Sequence, residues 1–88
     1  MKNKILIEVV SAPGCSKCAK ANEVIRNHIE NMKGIDLKEI NIAKNPDIAV
    51  KHKIMTTPAL IINGKLAFTG APSEDELKKY LKKIEDAN

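Results

Sequence analysis

The chain has 88 residues, a net charge of +4, and charged residues of both signs making up 30% of it, the composition of one folded domain and not of a disordered tail. A chain of this length buries about 60–65% of its unfolded surface, and the core is aliphatic, with Phe68 and Tyr80 the only aromatic residues. The positive charge is scattered lysine, with Arg26 the only arginine. That pattern offers neither a basic cluster nor stacking platforms for nucleic acid, and reads as a solvated surface that can steer acidic protein partners.

Met1–Lys4 leads into Ile5–Val10, an apolar run broken only by Glu8, which predicts a strand buried on both faces. Six residues are too few for a signal-peptide core with a cleavage site and far too few for a membrane span, so a cytoplasmic protein is expected. Ser11-Ala12-Pro13-Gly14 forces a turn. From Ser16 to Lys33 the apolar positions Ala21, Val24, Ile25, Ile29 and Met32 keep helical spacing, and Gly34 supplies a stop. Ile35–Asn41 reads as a second strand. Asn45-Pro46-Asp47 combines an N-cap, a first-turn proline and an early acid, opening a short helix to His52. Ala59–Ile62 is a third strand, and Asn63-Gly64 is a hairpin signal into a fourth, Lys65–Thr69. Gly70-Ala71-Pro72 ends it. Ser73 to Glu76 forms a capping box before a last helix with Leu77, Tyr80, Leu81 and Ile84 on its apolar line.

The order is β-α-β-α-β-β-α, one α/β domain over residues 1–88. Helices join the first three strands, which are therefore expected to be parallel, and the last two form an antiparallel hairpin.

Chemistry concentrates at Gly14-Cys15-Ser16-Lys17-Cys18, where the first strand gives way to the first helix. Positions i and i+3 at a helix start bring Cα atoms within roughly 5–6 Å, inside the disulfide window. Cys15 faces the unsatisfied N–H groups and the positive pole of the helix, which favour a thiolate, and Lys17 adds nearby charge. Cys15 is thus the expected attacking thiol, and Cys18, one turn inside, the resolving one. A lowered thiol pKa raises the thiolate fraction but weakens the nucleophile, so the nearness of Cys18 contributes more. The competing reading is a thiol-based metal carrier or a redox-responsive binding module using the same loop: a CxxC after a first strand also holds Cu(I) in small carrier domains, and two such pairs can make a zinc site. One pair is present, and the order of elements differs from the copper carriers, which have a hairpin between strands two and three. His28 falls on the apolar stripe of the first helix and His52 ends a short helix; neither is assigned a role, and no metal ligand set is expected.

A strand-turn-CxxC-helix unit followed some forty residues later by Thr-Pro, a strand, a hairpin and a final helix resembles the thioredoxin family over essentially the whole chain. Cys15-Ser16-Lys17-Cys18 matches the family's redox motif, Met55-Thr56-Thr57-Pro58-Ala59-Leu60 its cis-proline segment, and Gly70 its glycine after the last strand. The resemblance is strongest to compact archaeal and bacterial members with Gly-Cys-x-x-Cys. It implies a thioredoxin-like fold with a mixed four-stranded sheet, and thiol–disulfide exchange with protein disulfides, probing them through Thr57, Pro58 and Gly70. It also implies a reductase of the thioredoxin-reductase type or a small thiol as electron donor, no cofactor, and a monomer. No Trp precedes Cys15, and the motif contains no Pro. Alignment on the cysteines puts Val9 where thioredoxins carry a buried acid. Glu8 takes that place if the turn is one residue longer, and otherwise points to solvent.

Overall fold

The computed structural model describes residues 5–30, 32 and 34–87. Its elements are β1 (Ile5–Ser11), α1 (Ser16–Ile29), β2 (Ile35–Asn41), α2 (Pro46–His52), β3 (Ala59–Ile62), β4 (Lys65–Thr69) and α3 (Glu74–Ala87). The expectations for Met1–Lys4 and Lys33 lie outside the described residues.

The four strands form one mixed sheet in the order β2-β1-β3-β4. β1 and β2 are parallel, with Ile5 opposite Ile35 and Ser11 opposite Asn41. β3 is antiparallel to β1, pairing Val9 with Leu60, and this corrects the expectation that the first three strands run the same way. The reason is the length of α2. Its seven residues rise only about 10 Å, whereas a seven-residue strand spans about 23 Å. The helix therefore cannot carry the chain down the sheet, and the chain re-enters from the end at which β2 left it. α1 also ends earlier than the periodicity predicts. Glu30 is its C-cap, the Met32 N–H donates to Ile29 O at 2.9 Å, and Ile5 N donates to Gly34 O at 2.8 Å, which draws this segment onto the start of β1.

Alternation along β1 sends Ile5, Ile7 and Val9 to one face, where they pack with Ile25, Leu60, Ile62, Leu77 and Leu81. Val10 goes to the other face with Ile54, Ala59 and Ile61, against Ile48 and Ala49 of α2. All four residues of β3 are buried, as befits a central strand covered on both faces. Each fully buried Ile or Leu contributes about 1.5–3 kcal/mol, so these two small clusters supply most of the hydrophobic stabilisation.

The turns follow their sequence signals. Asn63 and Gly64 have φ of 52° and 82°, the left-handed pair that a two-residue hairpin turn requires. Asn63 also ties the turn to β1, its Oδ1 accepting from Leu6 N at 2.9 Å and its own N–H donating to Leu6 O at 2.9 Å. A bulge between Leu60 and Ile61 shifts the β3–β4 register. Ser73 and Glu76 form the reciprocal capping box, with Ser73 N to Glu76 Oε1 at 3.0 Å and Glu76 N to Ser73 Oγ at 3.2 Å. Asn45 precedes α2 as predicted, but its side chain makes no cap; Nδ2 donates to Asn41 O at 3.2 Å instead. Among the described residues, no helix is long and apolar enough to cross a membrane.

Candidate functional site

β1 stops at Ser11, and Gly14, at φ 72°, turns the chain so that Cys15 caps α1. Cys15 has extended backbone angles, and its Sγ accepts the Cys18 N–H at 3.2 Å. The sulfur thus occupies the place a Ser or Asp oxygen takes at an ordinary helix N-cap, among the open N–H groups of the first turn. Cys15 and Cys18 are joined in a disulfide, with Cα atoms 5.3 Å apart. Cys15 is partly exposed, whereas Cys18 is 3% exposed. An incoming sulfur can therefore reach only one member of the pair directly.

The loop before β3 comes to the same place. The Thr57 hydroxyl donates to Cys15 Sγ at 3.8 Å, the Thr57–Pro58 peptide is cis, and Pro58 is fully buried. Gly70, at the end of β4, donates its N–H to Pro58 O at 2.6 Å, so the third predicted segment closes on the second. Of the residues singled out in the sequence, Cys15, Cys18, Thr57, Pro58 and Gly70 thus form one connected group, and Lys17 stands exposed beside it. Glu8 does not join them. It is half-buried, in register with Lys38 and Ile61, on the face of the sheet that α2 covers, while α1 packs on the face of Val9.

Two features were not foreseen. One is the Thr57 hydroxyl–sulfur contact, since the sequence pointed to this residue only through its position before Pro58. The other is Met55, 92% exposed two residues before Thr57, an apolar side chain held in water on the loop that leads to the Thr57–Cys15 contact. His28 lies with its Nδ1 3.9 Å from Glu74 Oε1, linking α1 to α3 away from the sulfurs. Among the described residues, no group of three or more His, Cys, Asp or Glu side chains is arranged to hold a metal ion.

Comparison with known proteins agrees with this geometry. Residues 5–82 match the model of the thioredoxin domain family. The chain is 33% identical over 82 residues to a thioredoxin of Methanocaldococcus jannaschii, covering 92% of this chain and 96% of that one. It is 38% identical over 72 residues to a probable thioredoxin of Methanothermobacter thermautotrophicus, covering 81% and 85%. In fold it is similar to a mutant thioredoxin from Halobacterium salinarum, with a TM-score of 0.78, 18% identity, and coverage of 94% of this chain and 76% of that one. Mitochondrial thioredoxin 3 of Saccharomyces cerevisiae is alike at a TM-score of 0.76, 21% identity, and coverage of 93% and 80%.

Proposed function

This chain belongs to the thioredoxin family and is a thiol–disulfide oxidoreductase, and we propose that it works as a reductant of protein disulfides, with Cys15 attacking and Cys18 resolving. One observation carries this assignment: Cys15 Sγ is the helix cap that receives the Cys18 N–H, and its partner sulfur is buried.

In the dithiol form the Cys15 thiolate attacks one sulfur of a substrate disulfide. That S–S bond breaks, a mixed disulfide with Cys15 forms, and the departing substrate sulfur takes up a proton. Cys18 then loses its proton and attacks Cys15 Sγ, which closes the Cys15–Cys18 disulfide and releases the second substrate thiolate to be protonated. Two electrons pass to the substrate, and an external dithiol or a reductase returns them. The N–H and hydroxyl donors at Cys15 Sγ favour its thiolate for the attack on the substrate disulfide. When Cys18 resolves, Cys15 Sγ is the sulfur attacked and the substrate sulfur is the leaving group.

Thr57, Pro58 and Gly70 line the substrate groove in this reading, with the Thr57 backbone pairing to an extended substrate strand. Exposed Met55 offers apolar contact at its edge, and Lys17 adds positive charge beside Cys15. Glu8, on the other face, is given no part in tuning the sulfurs. The proposal extends to a one-domain cytoplasmic monomer recharged by a reductase or a small thiol. A turnover assay tests the function: with dithiothreitol as electron source, catalytic amounts of the chain speed reduction of a disulfide-bonded protein. No acceleration over dithiothreitol alone refutes it.

A further inference from the structure

The first helix carries a polar group that the exchange chemistry above leaves unused. Asn22, a half-buried residue, lies one turn beyond Cys18 on α1, beside the buried stripe formed by Cys18, Ala21 and Ile25. Its Oδ1 is buried and has no hydrogen-bond partner among the described residues. An unsatisfied buried oxygen of this kind costs about 1–3 kcal/mol, so its persistence asks for a donor.

Helical side chains lean toward the N-terminus, and residues i and i+4 stack with Cβ atoms about 5–6 Å apart. The Asn22 carboxamide accordingly leans over the turn that carries Cys18. In the disulfide the Cys18 sulfur has no hydrogen to give. Reduction changes that. An external dithiol opens the Cys15–Cys18 bond and becomes a disulfide itself, passing two electrons. Of the two protons it loses, one ends on Cys18 Sγ and the other goes to solvent, with Cys15 left as thiolate. The buried sulfur then bears an S–H one turn from an oxygen that lacks a donor. Glu8 cannot serve as the alternative acceptor, since it lies on the opposite face of the sheet.

We propose that Asn22 Oδ1 accepts a hydrogen bond from the Cys18 thiol in the dithiol state, making Asn22 a positioning residue that favours reduction and holds the resolving thiol protonated until exchange begins. A single free-energy difference acts: the oxygen that is orphaned in the disulfide is satisfied in the dithiol, which favours the dithiol. Because S–H is a weak donor, the expected effect is about three- to tenfold in the equilibrium with an external dithiol.

The inference rests on Cys15 and Cys18 cycling, and the test separates the two. Wild type and Asn22→Leu, which replaces the carboxamide with an apolar group of similar size, are equilibrated in dithiothreitol redox buffers, and the dithiol fraction is read by thiol alkylation and mass. The variant should shift about three- to tenfold toward the disulfide, up to about 30 mV more negative. Urea unfolding of both redox forms should show the disulfide form gaining stability relative to the dithiol form; equal changes in the two mean a merely structural residue and overturn the proposal. In a Cys15→Ser background, where Cys18 is the only thiol, the S–H stretching band should move to higher frequency on Asn22→Leu. An unmoved band, an equilibrium unchanged within twofold, or a shift toward the dithiol overturns it. A wild-type disulfide that dithiothreitol cannot open ends the exchange reading and this one together, whereas a cycling wild type with an unshifted variant ends this one alone.

Discussion

Thr57 Oγ1 sits 3.8 Å from Cys15 Sγ across 42 residues of sequence. The contact exists because β1 and β3 are adjacent and antiparallel, which sets the C-terminal end of one beside the N-terminal end of the other. The loop that follows β1 and the loop that precedes β3 therefore meet. The sheet topology, more than any one residue, builds the site.

Removing the hydroxyl should weaken the thiolate. Thr57→Val keeps the β-branched shape but deletes the donor, and a hydrogen bond of this kind is worth about 0.5–1.5 kcal/mol. Cys15 alkylation at neutral pH should slow about 1.5- to fourfold in the reduced protein, since the thiolate becomes scarcer but more nucleophilic. A rate profile against pH that superimposes on wild type would mean the hydroxyl has no influence on the sulfur.

The two cysteines should behave asymmetrically when each is replaced. Cys18→Ser leaves Cys15 able to attack but nothing to resolve, so mixed disulfides with substrate or an added thiol should accumulate and be visible by mass. Cys15→Ser should trap almost nothing, because the remaining sulfur is 3% exposed. Trapping by Cys15→Ser in place of Cys18→Ser would reverse the assigned roles.

Much of this arrangement is readable in the sequence because it is local. The capping box of Ser73 and Glu76, the Asn63-Gly64 turn and the Cys15 cap each depend on a few neighbouring residues, and each is found where its signal stands. The fully buried run Ala59–Ile62 is legible for the same reason. What the sequence misplaces depends on distant parts of the chain. The direction of β3 follows from how far α2 reaches compared with the strands, and periodicity carries no information on that. The end of α1 at Ile29 is decided by the pairing of Ile5 with Gly34, a contact between segments. Glu8 looks near the cysteines along the chain, yet strand alternation puts it across the sheet from α1.

The capping box should be measurable as a local contribution to stability. Ser73→Ala removes the oxygen that accepts the Glu76 N–H and should destabilise by about 1 kcal/mol, lowering Tm by roughly 4–8 °C in a domain of this size. Glu76→Ala removes the return bond to Ser73 N, and the double variant should lose less than the sum of the two, because each bond presupposes the other. Strict additivity in thermal unfolding would show that the two bonds act independently.

Gly70 offers a test of what holds the substrate loop. Its N–H reaches Pro58 O at 2.6 Å, so the end of β4 braces the segment beside the sulfurs. Its φ is +99°, a region that side-chain-bearing residues seldom adopt, yet a Cβ built there meets nothing within 4 Å. Crowding is therefore not the obstacle to substitution; the backbone angle is. Gly70→Ala and Gly70→Ser should both lose about 1–3 kcal/mol in urea unfolding, by nearly equal amounts despite their different sizes. If the backbone relaxes away from +99° to escape that cost, the bond to Pro58 loosens, and both variants should also exchange more slowly with a protein disulfide while still opening normally with dithiothreitol. A large gap between Ala and Ser would point to crowding instead, and two variants as stable as wild type would show that the angle at residue 70 imposes no constraint.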